Sequence, residues 1–214
     1  MTNVPLRWIF FRALLASLPT QNARAEAVQL SSLSPVVAQQ CGVTLDYPNN
    51  FSDFRCQTLD GKRVLRFKVQ SFVQRKDAEP EAFTARVAMT LRSAELADVI
   101  KARGIAVVDG KSWNASDPEF EALKKSNPKL RLKLLPLFEI EGTEFTGFGA
   151  SGEVERPKSE EYLAAGVKEI CTRYVLGNSA VVASTRVCLY DSATWPSDRE
   201  ALTNALSTMR TISH

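Results

Sequence analysis

Alternation of apolar and polar side chains runs through most of this chain. Cys41, Val43, Leu45 and Tyr47 alternate with Gly42, Thr44 and Asp46 before Pro48-Asn49-Asn50, which predicts a strand ended by a turn. After Asp60-Gly61, Leu65, Phe67, Val69 and Val73 alternate with Arg66, Lys68 and Gln70, a second strand with one wet face. Phe83, Ala85, Val87, Met89 and Leu91 then alternate with Thr84, Arg86, Ala88, Thr90 and Arg92. Drawn as a helix, these apolar residues scatter round the whole circumference, so period two decides for a third strand.

Helical signals follow. Ser93 is placed to cap a short helix through Arg103, with Leu96, Val99 and Ile100 on one face and Gly104 at its end. Ile105 to Val108 reads as a short strand. Asp117-Pro118-Glu119 opens a brief helix that stops by Asn127-Pro128. Lys129 to Leu135 alternates basic residues with leucine, and Pro136 marks that strand as an edge strand or a bulge. Phe138 and Ile140 continue it, and Gly142-Thr143 turns the chain back through Phe145 toward Val154.

Ser159 is placed to cap a helix whose Leu163, Val167, Ile170, Cys171 and Tyr174 fall in one stripe, with Lys168, Glu169, Thr172 and Arg173 outside it and Gly177-Asn178 ending it. Gly166 inside that helix costs about 1 kcal/mol against alanine and leaves room for a strand. Ala180 to Tyr190 is a strand with Val181, Ala183, Val187 and Leu189 on its apolar face. Ser197-Asp198-Arg199-Glu200 forms a capping box, and Leu202, Ala205, Leu206, Met209 and Ile212 make the dry stripe of a last, amphipathic helix.

The predicted order is β-β-β-α-β-α-β-β-α-β-α, which is an α+β fold with a mostly antiparallel sheet and helices packed on it. The element order, the opening strand ending in Asp46-Tyr47-Pro48, and the final strand plus amphipathic helix resemble the PsbP/Mog1-like domains in architecture, over most of the chain beyond residue 25. That resemblance implies an accessory or binding protein and transfers no functional residue.

The N-terminus reads as an export signal. Arg7 precedes a mostly apolar run from Trp8 to Leu18, interrupted by Arg12 and broken by Pro19, and Ala23-Arg24-Ala25 supplies small residues for cleavage before Glu26. The run is too short for a membrane span of about 20 residues, so no permanent anchor is expected. Gln40 before Cys41 does not make a lipidation site. The other reading is an amphipathic N-terminal helix on a cytosolic protein; export is preferred. The expected organisation is a signal peptide over 1–25, a flexible segment over 26–40 and a single α+β domain over 41–214, periplasmic or secreted.

Export changes the charge. The chain carries 27 basic and 24 acidic residues. Residues 1–25 hold Arg7, Arg12 and Arg24 and no acid, so cleavage leaves 24 of each. No global pull toward nucleic acid or an anionic membrane remains. Cys41, Cys56, Cys171 and Cys188 all follow the cleavage point, and an even number in an exported chain predicts two disulfides. Their spacing contains no C-x2-C pair, so metal binding is disfavoured.

The local pairing, Cys41 with Cys56 and Cys171 with Cys188, meets a geometric obstacle. On a helix ending near Leu176, Cys171 sits about 8 Å back from the turn. Cys188 on the returning strand sits about 25 Å out, while bonded cysteines have Cα atoms within about 7 Å. A hairpin turning at Gly177-Asn178 would set Cys171 opposite Ser184. The expectation is therefore a crossed pattern tying the first strand region to the last.

Catalytic signals are sparse. The one histidine is His214, at the end of the chain, which removes Ser-His-Asp, Cys-His and histidine-zinc chemistry. Gly147-Phe148-Gly149-Ala150-Ser151-Gly152 matches G-x-G-x-x-G by letter, but Glu153-Val154-Glu155-Arg156-Pro157 follows where a dinucleotide site needs a helix. A glycine-rich strand or loop is expected, and no cofactor. Lys124, Lys125, Lys129, Arg131 and Lys133 read as the wet face of an edge strand, where lysines block aggregation. Glu139, Glu141, Glu144, Glu153 and Glu155 read as the wet face of a hairpin. Phe138, Phe145 and Phe148 flank the same turn, and Trp113 and Trp195 sit in polar loops, so these five aromatics are the candidate binding residues. The expected function is an exported, disulfide-stabilised, non-catalytic protein that binds a protein or small molecule. The alternative is a carboxylate-dependent hydrolase of a cell-envelope substrate built on the five glutamates.

Overall fold

Two Asp-Gly pairs turn the chain back on itself. Asp60 (φ 50°) and Gly61 (φ 72°) both occupy the left-handed region, as do Asp109 (φ 50°) and Gly110 (φ 74°). This is the two-residue hairpin turn whose twist matches the flanking strands.

The computed structural model describes residues 29–157, 162–191 and 198–212. In chain order they form β1 (Ser31–Ser32), α1 (Pro35–Cys41), β2 (Val43–Thr44), β3 (Asp46–Tyr47), β4 (Phe51–Leu59), β5 (Lys62–Val73), β6 (Glu81–Arg92), α2 (Leu96–Ala102), β7 (Ile105–Val108), β8 (Lys111–Asn114), α3 (Pro118–Ser126), β9 (Arg131–Glu141), β10 (Thr146–Glu155), β11 (Lys168–Gly177), β12 (Val182–Asp191), α4 (Asp198–Ser207) and β13 (Arg210–Thr211). Seven strands make one antiparallel sheet in the order β4-β5-β6-β12-β11-β10-β9. The fold is α+β. The two halves of the sheet join between β6 and β12 through Val182↔Arg92, Ala183↔Leu91 and Ser184↔Thr90.

One face of the sheet carries the larger core. Leu65, Phe67, Val69 and Val73 of β5 and Ala85, Val87, Met89 and Leu91 of β6 are buried, on the parity their alternation predicted. All but Val73 share a cluster with Ala38 and Cys41 of α1 and Leu202, Ala205 and Leu206 of α4. The opposite face is covered by α2, β7, β8 and α3, a segment inserted between β6 and β9. Its smaller cluster joins Val99, Ile100 and Ile105 to Ala150, Val175 and Val182.

Several expectations are corrected. Residues 168–177 form a strand, not the end of a helix: β11 lies between β10 and β12, and Ile170 to Gly177 are all buried. A strand covered on both faces shows no alternation, so its apolar positions mimic a helical stripe. Ser159, the expected cap, lies outside the described residues, as do the signal segment, Trp195 and Ser197 of the capping box. Residues 29–40 are not a floppy lead-in. Ser31 and Ser32 pair with Tyr47 and Asp46, Leu33 is buried, and Ser34 caps α1 by accepting from Val37 N–H. The expected first strand therefore splits: α1 ends at Cys41, Gly42 (φ 71°) turns the chain, and β2 and β3 follow. Cap Ser93 is replaced by Glu95 as the residue before α2. Met209 and Ile212 lie beyond α4, beside β13, which pairs with β2.

The crossed disulfide pattern is also wrong. Cys41 bonds Cys56, tying α1 to β4, and Cys171 bonds Cys188 across β11 and β12. Gly177 pairs with Val182, so the hairpin turns two residues later than Gly177-Asn178 implied. In an antiparallel pair a two-residue shift of the turn moves the register by four, which carries Cys171 from Ser184 to Cys188. Peptide mapping without reduction should recover both local pairs, and a Cys41-linked Cys171 or Cys188 peptide contradicts this connectivity. Replacing Cys171 and Cys188 together by alanine should lower stability by about 3 kcal/mol, as expected for a loop of this size, measured by urea unfolding.

Candidate binding surface

The inserted segment is held on the sheet by a buried charge network. Arg173 of β11 is 0% exposed and Asp117 is 2% exposed. The Arg173 guanidinium donates to the carbonyls of Arg103 and Ser116 and to Asn114 Oδ1, tying the end of α2 and the β8–α3 junction to one side chain. Asp117 lies 3.7 Å from Arg173 Nε and 3.4 Å from Arg186 Nε. It also caps α3, its Oδ1 accepting from Phe120 N–H at 3.1 Å. Arg173 and Arg186 face each other directly across β11 and β12, an unfavourable like-charge pair that Asp117 offsets. Glu119 adds a second carboxylate, 3.6 Å from Arg186 and paired with Arg103. Burial pushes the Arg173 guanidinium below its ordinary value, and the two carboxylates oppose that shift.

The docked insertion creates an apolar groove of about 730 Å³ between α2, β7 and β10, in which Leu96, Ile100, Ile105, Val107, Val108 and Phe148 supply the apolar lining. Asp98 and Lys101 also line it. Val107 is 53% exposed and Val108 54%. Among the described residues β7 has β8 as its ladder partner and no strand on its other side. An exposed apolar strand at a free edge is what folded proteins usually block with charge or proline.

The five predicted aromatics separate. Phe148 lines the groove. Trp113 is 46% exposed on β8, directly opposite the groove residue Ala106. Phe145 is fully buried in the larger core on the other face. Phe138 packs against that core too, edge-on to Tyr174 with ring centroids 6.3 Å apart. Trp195 is outside the described residues. The residues missed were Val107 and Val108. Four consecutive apolar residues, Ile105 to Val108, between Gly104 and Asp109-Gly110 were the available signal, because a strand with a wet side alternates.

The glycine-rich motif is strand β10, and its glycines serve close packing. A Cβ on Gly147 would lie 2.0 Å from the Val175 carbonyl oxygen, and one on Gly149 would strike the Phe138 ring. Of the five glutamates, Glu144 accepts from Thr211 N–H at 2.8 Å and from its hydroxyl at 2.6 Å, which holds its carboxyl below the usual range. Glu153 and Glu155 line a depression of about 280 Å³ with Glu169. Lys168 lies 3.0 Å from Glu153 and Arg156 2.9 Å from Glu169, so both acids are committed to cations. Glu139 and Glu141 are exposed.

No protein-family model and no curated protein matches the sequence. Among solved structures, the solution structure of cyanobacterial PsbP (CyanoP) from Synechocystis sp. PCC 6803 is similar at 10% identity and a TM-score of 0.37, covering 88% of this chain and 96% of that one. The likeness to PsbP-like domains is weak and architectural, and no residue role is taken from it.

Gly147→Ala should cost about 3 kcal/mol or more, because the clash is with a backbone carbonyl of the neighbouring strand and overpacking alone costs 1–3. A Gly147→Ala protein with the parent's denaturant midpoint would show that β10 and β11 are not packed this closely.

Proposed function

We propose that this chain is an exported, disulfide-stabilised, non-catalytic binding protein whose partner is an extended apolar peptide segment seated against β7. The observation that carries the reading is the free, uncharged edge of Val107–Val108 beside the groove floored by Phe148. An extended peptide adds main-chain hydrogen bonds along such an edge and places alternate side chains in the adjoining groove. Trp113 on the same hairpin is the aromatic that borders this surface. Export is supported by the two disulfides and by the signal-like pattern of residues 1–25. No described helix is long and apolar enough to cross a membrane. The hydrolase alternative loses support because, of its five glutamates, Glu144 is held by Thr211 and Glu153 by Lys168, while Glu139 and Glu141 are exposed on β9.

A photo-crosslinking residue at position 107, introduced in the producing cells, should capture a discrete adduct that Val108→Asp abolishes. The same label at Gln70, on an exposed position of β5, should not capture it. Identical adducts from both positions, or an adduct unchanged by Val108→Asp, contradict the β7 surface.

A further inference from the structure

The inserted segment covers the sheet over β10, β11 and β12 and leaves the same face open over β4, β5 and β6. There the antiparallel register sets cations against cations. Arg55 of β4 lies directly opposite Arg66 of β5, and Lys68 of β5 directly opposite Arg86 of β6. Side chains so paired stand about 5 Å apart at Cβ, and like charges in that relation destabilise a sheet. The four cations line a depression of about 360 Å³ whose other polar groups are Asp53 and Gln57. Asp53 is its one carboxylate, and it is spent on Lys68 at 2.5 Å. Among the described residues neither the Arg66 nor the Arg86 side chain makes a hydrogen bond or an ion pair. Ala88, directly opposite Arg66, keeps the floor low between the guanidinium groups.

Edge protection accounts for the basic residues of β9 and for Arg55 of β4, the two outermost strands of the sheet, but not for Arg66, Lys68 and Arg86. Arg66 and Lys68 sit on β5, an interior strand with neighbours on both sides. Repulsion kept on the open face of an interior strand, with one carboxylate against four cations, is relieved when an anion binds among them. The two cations without a side-chain partner, Arg66 and Arg86, are both arginine, as is Arg55 beside Asp53, and the planar fork of donors matches phosphate oxygens two at a time. The three arginines lie on three adjacent strands, a span of about 10 Å, wider than one phosphate group bridges.

We infer that this depression binds a small anion bearing two phosphate-type groups, either free in solution or as the headgroup of a lipid, held by Arg55, Arg66 and Arg86. The site is separate from the β7 groove, and the inference does not depend on the peptide reading.

Pyrophosphate, titrated calorimetrically into the purified protein at low salt, should bind one per chain and more tightly than inorganic phosphate, with affinity falling as salt rises. The double variant Arg66→Gln/Arg86→Gln should weaken binding at least about tenfold and melt no lower than the parent, since it removes a repulsion. Lys133→Gln on β9 should leave binding unchanged. Co-sedimentation with phosphatidylcholine vesicles, with and without cardiolipin, separates the sources: arginine-dependent capture by cardiolipin vesicles identifies a headgroup, and its absence beside pyrophosphate binding identifies a free anion. No saturable binding of pyrophosphate or cardiolipin, or equal binding by the parent and the double variant, overturns the inference.

Discussion

The contact between Arg173 and Asp117 decides what the outer face of this sheet looks like. An arginine buried on a central strand stays charged, and a lone charge there would cost several kcal/mol. Asp117 supplies the countercharge, while Arg103, Ser116 and Asn114 supply acceptors from the insertion. Desolvation and pairing are thus solved together, and the solution requires the insertion to sit on β11. Hydrophobic contact alone would be a thin attachment, because the cluster beneath the insertion is much smaller than the core on the other face.

Both proposed binding surfaces follow from that docking. Where the insertion sits, β7 is lifted to the edge of the molecule and roofs a groove over Phe148. Where it stops, the face of β4, β5 and β6 stays open, and the register brings its cations together. The opposite face has no such freedom. It is filled by α1 and α4 and tied down by Cys41–Cys56, while Cys171–Cys188 fixes the hairpin that carries Arg173 and Arg186. One side of the sheet therefore holds the larger core, and the other carries both proposed binding surfaces.

Much of this was legible from alternation. The inward residues of β5 and β6, the helix opened by Asp117-Pro118-Glu119, the edge character of β9 and the glycine-rich strand β10 could all be read before the structure. Reading failed at β11 for a definite reason: burial on both faces removes the period-two signal, and Thr172 and Arg173 looked like the wet side of a helix while being buried. The disulfide error followed from that segment and from a turn placed two residues early. The binding surface was half legible. Phe148 and Trp113 stood out as aromatics outside regular patterning, but Phe145 shares that appearance and is a core residue. Nothing local links Arg173 to Asp117, or Arg66 to Arg86, because strand pairing brings them together.

Hydrogen exchange on Asp117→Asn addresses the docking most directly. Asparagine still caps α3, so the substitution removes the countercharge and little else. The buried pair predicts faster exchange confined to α2, β7, β8 and α3, with β4, β5 and β6 as protected as in the parent. Protection of the insertion unchanged from the parent, or lost evenly across the whole sheet, would contradict the role assigned to Arg173 and Asp117.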